Sequence, residues 1–562
     1  MARRHPLIRL APLFRPDRGL LAASGLGLLA GALLNLVGPW LVSQAIDVDL
    51  ANQDAVGLAW KAAQYLGVIA ASMAFTYAAR LGIEITAQRA MVALKRQVFD
   101  HLLDHDLALH DKHTSGRLIT RIQGDIEALR TLFTEVILSS PADFVLFVGM
   151  FAIIAWDAPA LAPLVAGVLP IWAVSFFIFR RVAPPKFIAL RKVQARLTGF
   201  FTEHVRAMPT LQAFGQAGWA RQRAEALNAD VFRVAAISGL MPVVYFNSLF
   251  LTRNLGIVVL LWLGAGMVSS GELTIGALVM GLGYLRQLFG PIMRLSHHQA
   301  TIERARAAAV RLAELLDTPR QITDPASPVP WPGLRSALRL EAVDFHYVEG
   351  TPVLHALSLE IPAGTQVGIV GSTGAGKSSV LNLLMRFRDP IGGRVTVDGV
   401  DLRDVRVAEL RERMGLVLQD VHLFPGTVLE NLGGDRARAQ AALETLGVDM
   451  ALERVVGDST LSRGERQLLT FARALVGDPE VLVLDEATSA VDPSTEALIQ
   501  STLARLQAGR TTIMVAHRLV TVRDCDIIYV LHRGRLQEQG THDELLALGG
   551  VYAALARLQE VA

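Results

Sequence analysis

Residues 367–384 read Val-Gly-Ile-Val-Gly-Ser-Thr-Gly-Ala-Gly-Lys-Ser-Ser-Val-Leu-Asn-Leu-Leu, a short apolar run, a glycine loop and a second apolar run. This is the order strand, loop, helix, and the loop matches G-x-x-x-x-G-K-[ST]. Its glycines let the backbone curl so that successive N–H groups face one point. The helix that follows adds the positive end of its dipole. Gly371, Ser372, Thr373, Gly374, Ala375, Gly376, Lys377, Ser378 and Ser379 are therefore the candidate phosphate cradle. Lys377 is placed for the β- and γ-phosphates of a nucleotide and Ser378 for Mg²⁺. A glycine-rich turn that binds nothing is the plainer reading. The match over eight residues in the right local order argues against it.

The chain around this loop is too long for one core, at 562 residues. It is 52% hydrophobic and only 19% charged, with the apolar excess in the first half, which points to membrane spans. A net charge of +2 provides no basic field of the kind that binds nucleic acid. The single cysteine, Cys525, excludes an internal disulfide framework and a cysteine metal cluster, and reads as a small packed residue. The opening Met-Ala-Arg-Arg-His lacks a nearby cleavage site, so residues 6–16 read as an amphipathic segment along the membrane surface rather than a signal peptide.

Six apolar stretches approach the ~20 residues a bilayer requires. They lie at 19–41, 62–80, 135–155, 159–179, 239–267 and 275–293. Links after the first, third and fifth are short and poor in Lys and Arg. Those after the second and fourth are long and basic, with Lys95, Arg96, Lys112, Arg117 and Arg121 in one and Arg180, Arg181, Lys186, Arg191 and Lys192 in the other. The positive-inside rule then puts both termini in the cytoplasm. The long links read as helical extensions that reverse near 110–117 and 206–213, with Gly116 and Pro209 as the breaks. Arg253, beside Asn247 and Asn254 in the fifth stretch, either lines a cavity or snorkels to the surface. Asn35, Gln64, Arg80 and Glu84 are weaker candidates, and Arg80 and Glu84 have the spacing to pair on one helix face.

A proline cluster follows the sixth stretch: Pro319, Pro325, Pro328, Pro330 and Pro332. It marks a linker at 318–337 between a transmembrane domain, 1–317, and a nucleotide-binding domain, 338–562. Beyond it the pattern is α/β. Val481-Leu482-Val483-Leu484-Asp485-Glu486 reads as a buried strand ending in two acids, Asp485 for Mg²⁺ and Glu486 to orient and polarise an attacking water. Gln419 ends a strand and is placed to sense Mg²⁺ and the γ-phosphate. His517 ends another, within reach of the γ-phosphate, and Tyr347 lies in an early strand where it can stack on a base.

Leu461-Ser462-Arg463-Gly464-Glu465-Arg466-Gln467 resembles the signature sequence of ABC ATPases, and Leu484 to Asp492 resembles their Walker B segment and D-loop. With the glycine loop, Gln419 and His517, the ABC motifs stand in order. The whole chain resembles an ABC exporter half-transporter of the multidrug and lipid-exporting type, in particular one half of bacterial heterodimeric multidrug exporters. The implied fold is a multidomain membrane protein, a six-helix transmembrane domain followed by an α/β P-loop ATPase domain. The resemblance implies ATP and Mg²⁺ as cofactors, and catalytic roles for Glu486 and His517. It also implies a second half-transporter whose ATP is contacted by Ser462, Gly464 and Glu465 of this chain. The reversals near 110–117 and 206–213 match the family's coupling helices. The family further implies a bacterial cytoplasmic membrane location and a small hydrophobic or amphipathic substrate. A lipid flippase, or an ATP-gated channel or regulatory subunit, is the alternative. Two features depart from the family pattern: the signature reads Ser-Arg-Gly-Glu in place of Ser-Gly-Gly-Gln, and the stretch from Gln419 to Leu461 is short, which leaves the detail of coupling open.

Overall fold

The computed structural model describes residues 12–112, 115–457, 460–485, 493–516 and 518–560. They form two compact units, Met1–Leu103 with Ser115–Thr318, and Asp104–Thr114 with Pro319–Ala562. Among the described residues of the first unit, six helical runs are long and apolar enough to cross a bilayer: Arg18–Leu50, Ala55–Leu103, Leu118–Asp157, Pro159–Arg206, Ala217–Ser269 and Ile275–Leu316. Each contains one of the six apolar stretches read from the sequence.

The helices are α1 (Arg18–Gln44), α2 (Ala55–Leu103), α3 (Leu107–Lys112), α4 (Ser115–Thr131), α5 (Ser140–Asp157), α6 (Ala162–Ala166), α7 (Val168–Arg206), α8 (Met208–Ala213), α9 (Ala217–Ser269) and α10 (Ile275–Leu316). At 49 residues, α2 is ~74 Å long, well beyond a bilayer, so it extends past the apolar stretch as the long basic link predicts. Prolines 39, 184, 185, 242 and 291 lie inside helices, where neighbouring helices offset the lost backbone bond. The expected breakers act differently. Gly116 sits in the first turn of α4, and Pro209 in the first turn of α8, where a missing N–H costs little. The second reversal turns instead at Gly215, whose φ of 62° favours glycine.

Packing where α2, α4 and α10 meet depends on small residues. Ala305, Ala308 and Ala309 of α10 are buried against Leu94, Val98 and Leu129, which lets the helices approach closely. Leu13 and Phe14 join this cluster, with the Phe14 ring 4.1 Å from that of Phe133. The earlier part of the expected amphipathic segment, residues 6–11, lies outside the described residues. Glu84 does not pair with Arg80. It accepts from Arg130 of α4 at 2.7 Å and from Gln88 at 2.8 Å, because a neighbouring helix offers a guanidinium closer than its own does.

The second unit begins with an antiparallel sheet in the order β2-β1-β4-β5, built from β1 (Ala337–Val348), β2 (Thr351–Pro362), β4 (Gly392–Val397) and β5 (Val400–Asp401). A six-stranded sheet in the order β12-β11-β3-β10-β9-β6 uses β3 (Gln366–Gly371), β6 (Met414–Val417), β9 (Val481–Asp485), β10 (Thr511–Val515), β11 (Ile527–His532) and β12 (Arg535–Gly540). Its inner strands are parallel, and Thr511 to Val515 are all buried, as a sheet covered on both faces requires. A small ladder joins β7 (Gly426–Thr427) to β8 (Val455–Val456). The helices are α11 (Lys377–Leu384), α12 (Val407–Glu412), α13 (Val428–Asn431), α14 (Arg436–Leu446), α15 (Arg463–Leu475) and α16 (Pro493–Gln507), with two more at the C-terminal end. Cys525 is buried, as a packed residue should be, and burial pushes its thiol up to about 12.

The proline-rich stretch is held down along this unit. Val329 bridges to Val405, and the backbone N–H of Trp331 donates to Glu409 at 2.9 Å. Glu480 accepts from the Trp331 indole at 3.1 Å and from the Leu334 N–H at 2.8 Å. Glu480→Ala should therefore free this stretch, at a cost of about 1–3 kcal/mol in stability of the unit. Limited proteolysis reads the outcome: new cleavage within residues 325–335 is expected, and an unchanged digest with an unchanged Tm would refute the role.

Candidate nucleotide site

The parallel strands set the site. Val515 of β10 lies level with Ile369 of β3 on one side and with Asp485 of β9 on the other. The loop after β3, the end of β9 and the segment after β6 therefore leave the same carboxyl edge of one sheet, where ligands bind in open α/β sheets. Gln419 is exposed two residues beyond β6, and Asp485 is half-buried at the end of β9. Glu486 and His517, the sequence candidates for catalysis, lie outside the described residues.

Within the loop, Gly371 passes so close to β11 that a Cβ would meet the Leu531 carbonyl oxygen at 2.2 Å. Gly376 caps α11 in the left-handed region, with φ of 103°. Both positions require glycine. The Ala375 carbonyl accepts from Gly534 N–H at 3.1 Å, tying the loop to the turn after β11. Lys377 is 5% exposed, and its Nζ donates to the carbonyls of Gly371 at 2.8 Å and Ser372 at 3.2 Å. The ammonium is thus held over the concave side of the loop. Ser372, Thr373, Gly374 and Ser378 are exposed, whereas Ala375, Gly376 and Ser379 are buried.

Tyr347, near the end of β1, is 43% exposed. Its hydroxyl is 3.1 Å from Ser379 Oγ and accepts from Asn382 Nδ2 at 2.9 Å, both on α11. The sequence-predicted stacking residue is therefore fixed to the helix that follows the glycine loop. Ser379, read as part of the cradle, spends its hydroxyl on that contact. Arg388 lies 5.6 Å from the Tyr347 ring centre and forms an ion pair with Asp111 of α3. The sequence offered no sign of this Tyr347–Arg388–Asp111 line, because its members are far apart in the chain.

Ser462 and Glu465 form a capping box at the start of α15. Ser462 Oγ accepts from Glu465 N–H at 3.1 Å, and Glu465 Oε2 accepts from Ser462 N–H at 2.8 Å. The S-x-x-E spacing was the legible signal for it. Arg454 adds a 2.6 Å ion pair to Glu465 and donates to Thr460 O at 2.9 Å. The Arg454 guanidinium holds the Glu465 carboxyl below the usual carboxylate range. This box leaves Ser462 exposed at the positive end of a 13-residue helix, with Gly464 buried behind it. The short stretch before it is ordered by Arg473, which donates to the Asn431 carbonyl at 3.0 Å, to Asn431 Oδ1 at 2.7 Å and to His422 O at 2.8 Å.

In the first unit, the Arg253 guanidinium lies over the rings of Phe250 and Phe289, at 4.3 and 5.1 Å, and its Nε is buried without a partner. Asn254 is half-buried. Asn247 is exposed and donates to its own helix at Val243 O, 2.8 Å. The three do not form one hydrogen-bonded cluster.

Fold and site together define a multi-pass membrane protein with a P-loop ATPase unit. Residues 21–292 match the ABC transporter transmembrane region, and residues 354–489 match the ABC transporter family. A probable multidrug resistance ABC transporter ATP-binding/permease protein, YheH of Bacillus subtilis, is 34% identical over 88% of this chain and 76% of its own length. A fatty acid ABC transporter ATP-binding/permease protein of Mycobacterium bovis is 34% identical over 87% and 79%. The structure of a bacterial Atm1-family ABC exporter with ATP bound superposes with a TM-score of 0.77, at 27% identity, over 96% of this chain and 98% of that one. The chain belongs to the ABC transporter family. It binds nucleotide, and it couples ATP hydrolysis to export.

The capping box gives a test at the signature. Glu465→Gln keeps a side chain that can close the box and loses only the Arg454 pair, so ATPase activity should stay close to that of the parent. Ser462→Ala should cost about 0.5–2 kcal/mol at α15. Thermal melts of the two variants, read beside ATPase rates, check both expectations.

Proposed function

We propose that the chain is one half of a dimeric exporter that moves a hydrophobic or amphipathic small molecule, drug or lipid out of the bacterial cytoplasm or its inner leaflet. The single observation that supports it most is the buried Lys377 over a glycine loop, in a chain with six membrane-spanning helices. Residues 1–317 would form the membrane domain, 318–337 the linker and 338–562 the ATPase domain, with both termini cytoplasmic. The fatty acid and multidrug transporters among the relatives support the cargo class.

In this reading the loop amides and Lys377 bind the phosphates, and Tyr347 stacks on the base. Ser378, Gln419 and Asp485 offer hydroxyl, amide and carboxylate oxygens, a hard donor set that suits Mg²⁺. When bound, the ion neutralises charge on the terminal phosphates. Glu486 orients and deprotonates the attacking water, and His517 contacts the γ-phosphate. Ser462 and Gly464 complete the site of a second half-transporter, which is why two chains are required. Glu486 and His517 are both present in the sequence, so this chain would be the active half of a heterodimer, the slightly favoured arrangement, or one of two equal halves.

A gated channel or regulatory subunit can run on nucleotide binding alone and has no need of Glu486. Glu486→Gln should lower ATP turnover by about 10²–10⁴-fold and trap the closed dimer. Parent-level turnover in that variant would refute the assignment. In proteoliposomes, ATP-gated passive flux without accumulation would favour the channel instead. Arg253, buried without a partner at Nε, is proposed to meet the polar end of the cargo. Arg253→Ala should cut cargo stimulation of ATPase about tenfold, with the KM for ATP unchanged. Equal stimulation by every transported compound would remove Arg253 from the cavity.

A further inference from the structure

The turn between α1 and α2 holds a buried charge that nothing on the protein balances. Residues Ala45–Leu50 leave α1 as a π-helical turn, a form that recurs at functional sites. The turn carries two carboxylates with different fates. Asp47 is spent on the start of α10: its Oδ1 accepts from the Gly276 N–H at 2.7 Å and its Oδ2 from the Thr274 hydroxyl at 2.6 Å. Asp49 is only 8% exposed, and its Oδ2 is buried with no hydrogen-bond partner.

A third carboxylate, Asp54, meets Asp49. The Asp54 N–H donates to the Asp49 carbonyl at 2.8 Å, which closes the turn. Asp54 Oδ1 caps α2, accepting from the N–H groups of Val56 at 3.1 Å and Gly57 at 3.0 Å. Its Oδ2 is left to converge with Asp49 Oδ1 over Gly57, where a Cβ would meet the Asp49 oxygen at 2.5 Å and the Asp54 oxygen at 2.6 Å. The two oxygens are thus no more than about 5 Å apart, a span that one Ca²⁺ with oxygen ligands at ~2.3–2.6 Å can close.

Two carboxylates this close repel each other, and withdrawing one from water is costly unless a cation compensates it. Lys61, one turn beyond Gly57 on α2, lies over the Trp40 ring at 6.0 Å. No ion pair reaches Asp49 or Asp54 among the described residues. Nor does a third His, Cys, Asp or Glu join them there. The donor set is therefore two carboxylates, all oxygen, with the exposed Asp54 as its opening to solvent. Such hard donors suit a divalent cation. Ca²⁺ accepts an irregular shell of carboxylate, carbonyl and water oxygens, whereas Mg²⁺ demands a near-ideal octahedron that a turn and a helix cap do not offer.

We propose that Asp49 and Asp54 bind a Ca²⁺ ion at the α1–α2 turn, with water and backbone carbonyls completing its shell. With two charged ligands the site is weak, with a Kd of about 10⁻⁴–10⁻³ M. The ion ties the end of α1 to the start of α2. Its binding needs neither ATP nor cargo, and it is separate from the Mg²⁺ set at Ser378, Gln419 and Asp485.

The test uses the full chain in detergent, stripped with a chelator and free of nucleotide. Equilibrium dialysis with radioactive Ca²⁺ measures binding, and thermal melts with and without Ca²⁺ measure its effect on stability. The parent should bind Ca²⁺ and melt higher in its presence. Asp49→Asn and Asp54→Asn should each weaken binding about tenfold and lose the Ca²⁺-dependent rise in Tm. Gly57→Ala keeps every carboxylate and favours the helix, but its methyl occupies the space where the two oxygens converge, so it should lose Ca²⁺ as well. Without Ca²⁺, Asp49→Asn should melt no lower than the parent, because it removes an unbalanced buried charge. Equal Ca²⁺ binding by the parent and all three variants, or a parent Tm that ignores Ca²⁺, overturns the site. A clear loss of Tm in metal-free Asp49→Asn also overturns it, by showing that the protein itself holds the carboxylate. An equal rise in Tm with Mg²⁺ overturns the assignment to Ca²⁺.

Discussion

A buried ammonium sets the terms for the ATPase unit. Lys377 is almost fully withdrawn from water and donates to two carbonyls of its own loop. Carbonyl dipoles offset part of the cost of burying a full charge, and an anion in the loop offsets much more. The backbone geometry serves that end. Gly371 lets the loop cross β11, Gly376 starts α11 in a left-handed conformation, and the dipole of α11 faces the same point as the lysine. The parallel sheet then brings Asp485 to the same edge through strand register alone, since Val515 is level with both Ile369 and Asp485.

What the sequence made legible was local. The glycine loop, the six apolar stretches and the buried run before Asp485 each depend on residues within a turn or a strand of one another. Contacts between distant parts of the chain were not legible. Glu84 has Arg80 four residues away, yet pairs with Arg130 from another helix. Tyr347 was readable as an early-strand residue able to stack on a base, but its bonds to Ser379 and Asn382 depend on how β1 lies against α11. The proline cluster reads as a loose linker by composition. It is pinned because Glu480, some 150 residues later, gathers two of its N–H groups.

The short stretch between Gln419 and Leu461 shows how a departure in length can be absorbed. β7 and β8 close a two-rung ladder, α13 carries its own capping box, and Val428, Leu432, Leu443 and Leu446 are buried in the larger core. Arg473 of α15 fastens the start of the stretch, and Arg454 at its end is paired to Glu465 of the same helix. Both ends are thus fixed to α15, the helix that presents Ser462.

The same economy joins Tyr347 to α3. Arg388 stacks on the tyrosine ring and pairs with Asp111, and the 104–114 segment is further tied to the ATPase unit by Arg320 on Asp104, at 2.9 Å, and by Ile322 N–H on Asp106, at 3.2 Å. That segment interrupts the membrane unit in sequence but packs as part of the ATPase unit. Arg388 thus joins the Tyr347 ring, and through its hydroxyl the helix α11 behind the glycine loop, to Asp111 within one compact unit, although Asp111 lies more than 200 residues earlier in the chain.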